Sequence, residues 1–230
     1  TRGVLIASPS NPTGTIIQAT ELAKAIEFVA AKQGLFFSDE IYHGLVYEQG
    51  VASALEFSDQ VFVINSFSKY FGMTGWRIGW LIVPESFAQA TEKLAQNIFI
   101  STSSHSQYAA LAAFDPTTLQ ELELRREDFA SKRDFLYEHL LRLGFNIPVK
   151  PAGAFYIYAD ARQFTDDSQE LAEQLLEIEG VAITPGKDFG QNESQHYLRF
   201  SYTSSMATIA EGIKRLERFL ITYKQRARLT

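Results

Sequence analysis

Val61-Phe62-Val63-Ile64 runs without a polar group and then breaks into Asn65-Ser66-Phe67-Ser68-Lys69. A short apolar run closed by polar turn residues reads as a buried strand with its chemistry-bearing residues gathered at its end. The pattern recurs on both sides. Gly3 to Ala7 is a short buried strand that leads into Ser8-Pro9-Ser10-Asn11-Pro12-Thr13-Gly14. Leu35-Phe36-Phe37 is another, broken at once by Ser38-Asp39-Glu40, and Gly79 to Val83 is a fourth. Between the first two, Thr20 caps a helix that has Leu22, Ile26, Val29 and Ala30 on one face and Gly34 as its stop. Buried runs alternating with a helical segment predict an α/β fold with a mostly parallel sheet. Ligands of such sheets collect outside the carboxyl ends of the strands, where the polar clusters of this sequence lie.

After Pro116 the texture changes. Thr117 to Leu143 is one long helical stretch rich in Glu, Arg and Leu, closed by Gly144. Ala154 to Tyr158 and Val181 to Thr184 are β-like runs separated by a helix near Ser168 to Glu179. Tyr197 to Tyr202 is a further strand, and Met206 to Tyr223 a final amphipathic helix. A boundary near residue 120 divides the chain into residues 1–120 and a smaller α/β domain, 121–230.

Composition narrows the function classes. The 230 residues are 46% hydrophobic, which excludes intrinsic disorder, and no run reaches the roughly 18 apolar residues of a membrane helix. Twenty-one basic against 27 acidic residues leave a formal charge of −6, so no nucleic-acid or anionic-membrane surface is expected. Without cysteine there is no disulfide, thiolate catalysis or Cys-type zinc site. The four histidines share no metal-ligand spacing, and Ser103-Ser104-His105-Ser106 lacks the surroundings of a hydrolase nucleophile. Glu121 to Arg126 reads most simply as a solvated helix face. The N-terminus has no signal-peptide layout and opens directly into a strand, as an internal piece of a longer chain would; a cytoplasmic location is the expectation.

Lys69 carries the chemical argument. A lysine just past a buried strand loses water, which favours a nucleophilic amine able to add to a carbonyl. Ser66, Ser68 and Arg77 around it supply hydroxyl donors and a fixed cation, a set suited to a phosphate. A carbonyl-binding lysine beside phosphate donors suggests pyridoxal phosphate (PLP); an ordinary lysine in a hydroxyl-rich turn is the alternative. Asp39 strengthens the first reading. A carboxylate at the edge of a buried strand needs a partner, and a protonated pyridine nitrogen is one. The alternative is that Asp39 is a helix N-cap. Tyr42, three residues on, reaches the same region if the turn continues helically. Glu40 and His43 read as solvated or local-network residues and receive no role in the chemistry.

Ser10-Asn11-Pro12-Thr13-Gly14, Ser38-Asp39-Glu40-Ile41-Tyr42, the stretch from Ser66 to Gly79, and Leu198-Arg199-Phe200-Ser201 occur in one order. Together they resemble the ordered motifs of the class I/II PLP-dependent aminotransferases, fold type I. The resemblance implies that residues 1–120 are the C-terminal half of a PLP-binding large domain and 121–230 the small domain. It implies that Asn11 and Tyr42 hydrogen-bond the cofactor's phenolic oxygen and that Asp39 pairs with its ring nitrogen. Lys69 would bind the cofactor aldehyde and then shuttle a proton; Ser66 and Arg77 would hold the phosphate, with Ser68 beside them. Arg199 would clamp the substrate α-carboxylate. The family's chains extend far upstream of the Asn-Pro-Thr-Gly motif and act as homodimers, so in this chain Gly3 to Ala7 is expected to present a bare hydrophobic sheet edge, and the chain alone is expected not to be a competent transaminase.

The expected activity is amino-group transfer between an amino acid and a 2-oxo acid. A PLP-dependent β-lyase would use the same Asp39, Lys69, Arg77 and Arg199, and a non-catalytic regulatory domain of the same ancestry is the third reading. No arginine lies between Arg77 and Arg125 to hold a side-chain carboxylate, which lowers the expectation of an aspartate or glutamate substrate.

Overall fold

The computed structural model describes residues 1–48 and 50–227. They form two compact units. The first comprises residues 1–10, 15–127 and 152–154; the second comprises 11–14, 128–151 and 155 onward.

The first unit is built on a four-stranded sheet in the order β1 (Gly3–Ala7), β2 (Leu35–Asp39), β3 (Val61–Ser66), β4 (Gly79–Ile82). β1, β2 and β3 are parallel, so Ala7, Asp39 and Ser66 all lie at carboxyl ends on one rim. β4 runs antiparallel to β3, with Ser66 opposite Gly79. Helix α1 (Ala19–Ala31) makes the first crossover and buries Leu22, Ile26 and Val29 against Phe36, Val61 and Val63. Positions spaced by four and three residues share one helical face, which is why this stripe meets the sheet. The helix begins one residue before Thr20: Gln18 is its N-cap, without a side-chain capping bond, and Thr20 lies inside the first turn.

β4 departs from the expectation of a buried strand, while β1 is the open edge expected of Gly3 to Ala7 in this chain. Each is an edge of this sheet with a single pairing partner. Leu5 of β1 is 63% exposed, and all four residues of β4 are exposed. An apolar run shows that a strand can be covered on both faces; it does not show where in the sheet the strand sits. Helices α2 (Glu85–Phe99) and α3 (Ser104–Ala112) follow, in a stretch where the strand pattern gave no element. Phe87 of α2 meets Phe62 of β3 edge-on at 5.1 Å. α3 contributes Ala110 to a small core with Phe67, Met73 and Ala113. The long helix α4 (Pro116–Leu143) carries the division between the units, after Glu127.

The second unit holds an antiparallel sheet ordered β5 (Tyr156–Asp160), β7 (Tyr197–Ser201), β6 (Thr184–Pro185). β6 is shorter than the run from Val181 suggested. Helix α5 (Ser168–Glu179) is capped by the Asp167 carboxylate, which accepts from Gln169 N at 2.9 Å, and ends at Gly180 with φ 66°. Helix α6 (Met206–Ala227) follows β7. Ile157, Leu171, Leu175 and Leu198 are fully buried in this unit, and Phe145 packs against Phe164 and Phe200.

Candidate active site

Asp39 is the last residue of β2, between Ala7 of β1 and Ile64 of β3 in the sheet register. No helix starts there. Its Oδ1 accepts from Ile41 N at 3.2 Å, closing a turn rather than capping a helix. Burial pushes the Asp39 carboxyl above the ordinary range, while the Ile41 amide and the Lys69 charge pull it back. Further turn bonds, His43 N to Glu40 O and Leu45 N to Tyr42 O, bring Tyr42 into the interior at 4% exposure. The Lys69 ammonium lies 5.8 Å from the centre of the Tyr42 ring.

Lys69 sits in the connection between β3 and β4, and this loop is knitted by its own polar groups. Ser68 N donates to Ser66 Oγ at 3.0 Å, and Ser66 Oγ donates to Ser68 Oγ at 2.9 Å. Thr74 Oγ1 donates to Ser68 O, Gly72 N to Lys69 O, and Arg77 Nη1 to Thr74 O at 3.0 Å. Phe67 and Met73 anchor the loop from below, in the core shared with α3. Ser106 of α3 donates to Trp76 O at 2.6 Å. Ser66, Ser68, Lys69 and Arg77 therefore belong to one braced segment. Ser106 is a supporting residue whose role the sequence did not reveal, because its partner is a backbone carbonyl 30 positions away.

Of the two readings left open for Glu40, solvated or part of a local network, the structure shows the second. Glu40 is 3% exposed and collects Ser38 Oγ at 3.0 Å, Ser53 Oγ at 2.9 Å and Ala54 N at 2.8 Å. His43 Nδ1 lies 3.4 Å from its Oε2. Burial pulls the His43 imidazole below its ordinary value, opposed by the Glu40 charge. A buried carboxylate with this many donors fixes the turn that follows Asp39. The signal was present in Asp39-Glu40, but its donors come from residues 53 and 54, beyond the reach of local pattern.

In the second unit Arg199 stands on β7, opposite Thr184 of β6 and Tyr158 of β5. Its guanidinium carbon lies 4.2 Å from the Tyr156 ring centre and 4.4 Å from that of Phe189, a cation held between two aromatic faces. Nη1 donates to Asn11 Oδ1 at 2.7 Å and Nη2 to Thr184 Oγ1 at 3.4 Å, while Nε is buried without a hydrogen-bond partner among the described residues. The structure thus joins Asn11 and Arg199, which are 188 positions apart in the chain. Phe189 is a contributor that the sequence reading passed over.

A family model described as aminotransferase class I and II matches residues 1–216. The chain belongs to this family. Among curated relatives, a valine–pyruvate aminotransferase of Mycobacterium tuberculosis is 40% identical over 221 residues, covering 95% of this chain and 57% of the relative. A (5-formylfuran-3-yl)methyl phosphate transaminase of Methanocaldococcus jannaschii is 39% identical over 96% of this chain and 58% of its own length. The crystal structure of an aminotransferase from Mycobacterium tuberculosis superposes with a TM-score of 0.93 at 40% identity, covering 96% of this chain and 58% of that one. The Thermus thermophilus aspartate aminotransferase with maleate gives 0.89 at 32% identity, covering 95% and 57%. The chain therefore spans a little under three-fifths of the length of these relatives.

Class I and II aminotransferases are PLP-dependent. The donor set of the first unit fits that group. Two hydroxyls and a guanidinium on one loop suit a phosphate ester, the lysine suits an aldehyde, and a carboxylate whose burial raises its proton affinity suits a protonatable ring nitrogen. Among the described residues no cluster of His, Asp and Glu could hold a metal ion.

Proposed function

We propose that this chain serves PLP-dependent transfer of an amino group between an amino acid and a 2-oxo acid, in a protein that acts as a homodimer. The observation that carries the reading is the convergence of Asp39 and Lys69 at neighbouring strand ends of one sheet, with Ser66, Ser68 and Arg77 on the lysine's own loop.

Bound PLP would supply an aldehyde to which amines add and a ring that accepts the electron pair left at Cα when its proton departs. Ser66, Ser68 and Arg77 would hold the phosphate, and Asp39 would keep the ring nitrogen protonated. Asn11 and Tyr42 would hold the phenolic oxygen. Lys69 Nζ would bind the aldehyde carbon until the substrate amine displaces it. The same Nζ would then take the proton from Cα and return it to the former aldehyde carbon of the cofactor, acting as base and then acid. Arg199 would orient the substrate by its α-carboxylate. The aromatic faces of Tyr156 and Phe189 fix the guanidinium plane, which preserves a two-point contact.

The test is a product analysis on the intact protein loaded with PLP. An aminated acceptor and a 2-oxo acid without ammonia support transfer, whereas pyruvate with ammonia identifies a β-lyase. Lys69→Ala should abolish turnover and the visible absorbance of the lysine-bound cofactor; undiminished transfer by that variant would sink the assignment.

A further inference from the structure

Tyr70 follows the lysine directly, and its side chain makes contacts that the chemistry above does not use. Its hydroxyl donates to Glu123 Oε1 at 2.6 Å, a short bond to a charged acceptor. The other oxygen of Glu123 accepts from Arg126 Nε at 2.7 Å. Arg126 Nη1 in turn donates to Val46 O at 3.2 Å. This relay runs from the Lys69 loop to α4 and back to the segment that follows Tyr42. The Tyr70 ring makes the return directly as well. It lies so close to Gly44 that a Cβ there would stand 2.4 Å from its Cγ. A second tie joins the same loop to α4: a Cβ on Gly72, at φ +68°, would stand 2.5 Å from Arg125 Nη1. Burial and the Glu123 carboxylate push the Tyr70 phenol up to about 12, so it stays a donor throughout the physiological range.

We propose that Tyr70 is a positioning residue for Lys69. Through Glu123, Arg126 and Gly44 it fixes the spacing between the loop that carries Lys69 and the turn that carries Tyr42. The two groups approach to 5.8 Å but belong to different connections of the sheet, after β3 and after β2. Backbone pairing holds the strands in register, and it leaves the loops beyond the strand ends to be set by side chains. Tyr70 touches both loops, and its neighbour in sequence is the residue whose nitrogen must reach a fixed atom. The functional part of this inference rests on the aminotransferase reading; the brace itself does not.

The experiment compares the intact wild type with Tyr70→Phe, Glu123→Ala and the double variant, with Glu121→Gln on the same helix as a control. In the cofactor-free protein, Tyr70→Phe should speed backbone amide exchange about threefold to tenfold in residues 44–48 and in residues 69–73, leaving β3 unchanged. That range follows from one charge-assisted bond discounted for partial exposure. Glu123→Ala, which also frees Arg126, should speed exchange in the same two segments at least as much, and the double variant should add nothing beyond Glu123→Ala, since the Tyr70 link is already gone there. In the PLP-loaded protein, Tyr70→Phe should alter the visible circular dichroism of the cofactor and lower kcat more than it raises KM. Exchange confined to 69–73, wild-type exchange throughout, or faster exchange that extends into β3 would each overturn the brace. Coupled exchange with unaltered dichroism and kcat would overturn the positioning role. A wild type that takes up no PLP would instead defeat the aminotransferase reading, while the exchange arm still decides the brace.

Discussion

Gly79→Ala offers a quantitative test of how the β3–β4 pairing serves the site. Gly79 opens β4 opposite Ser66. A Cβ there would lie 2.6 Å from Asn65 O and 3.2 Å from Ser66 Cα, both backbone atoms that cannot rotate away. To reach ordinary contact at about 3.4 Å the strands must part by about 0.8 Å at the point where Ser66 leaves β3 and the Arg77 segment enters β4. Overpacking of this kind costs about 1–3 kcal/mol, or about 2–12 °C in Tm for a chain of this size. The functional loss should be larger than the stability loss suggests. A misplacement approaching 1 Å among positioning groups can cost up to about 100-fold in rate. PLP affinity by absorbance titration, kcat/KM and Tm, all on the intact protein, provide the assay. Gly75→Ala is the internal control: nothing lies within 4 Å of a Cβ there, and the change should stay within about 0.5 kcal/mol. A Gly79→Ala variant with wild-type cofactor affinity and turnover would refute the argument, as would a Gly75→Ala variant that is equally damaged.

Asp39→Asn should weaken PLP binding while altering the pH dependence of cofactor-free stability. Because burial raises the Asp39 carboxyl in the folded state, its stabilising contribution is complete below the ordinary carboxylate range and is lost as pH rises through the folded value. The Tm of the variant relative to wild type should therefore improve from acid to neutral pH in thermal melts; a relative Tm that falls over that interval would contradict the assignment. Arg199→Lys gives up the planar fork that now reaches Asn11 and Thr184, and kcat/KM for both amino donor and 2-oxo acceptor should drop about tenfold to a hundredfold. Steady-state kinetics with an amine lacking a carboxylate provide the check, since equal wild-type rates with that amine would remove the role given to Arg199. Glu40→Gln should lower Tm by several degrees and slightly weaken PLP binding, because three donors converge on its buried carboxylate. No change in Tm would show that the network is slack.

Strands, long helices and the residues at strand ends were legible because each is announced within a few positions. Leu35-Phe36-Phe37 ends at Asp39, and Val61 to Ile64 ends in the Ser66-to-Lys69 turn, as their patterns imply. The edge position of β4 was not legible, since Gly79 to Ile82 is as apolar as a covered strand yet lies open. The supporting contacts were equally hidden. Glu40 depends on Ser53 and Ala54, Tyr70 on Glu123, and Arg199 on Tyr156 and Phe189, pairs separated by 10 to 53 positions. Glu121 to Arg126, read as a solvated face, instead supplies two members of the Tyr70 relay. Nothing in local hydrophobic periodicity encodes such pairings, because they follow from the topology of the sheet.

The antiparallel step from β3 to β4 also bears on the order in which the site assembles. Ser66 and Gly79 pair across a connection of a dozen residues, whereas Ala7 reaches Asp39, and Asp39 reaches Ile64, only through crossovers two to three times as long. Loop-closure entropy rises slowly with length, by about 0.6 kcal/mol per doubling, but short-range contacts also form sooner in a search by diffusion. The hairpin-like unit that carries Ser66, Ser68, Lys69 and Arg77 can therefore organise as a local event. The carboxylate of Asp39 joins only when the parallel strands dock. On loop length alone, Lys69 with Ser66, Ser68 and Arg77 is expected to organise before Asp39, which waits for the slower, non-local closure of the sheet.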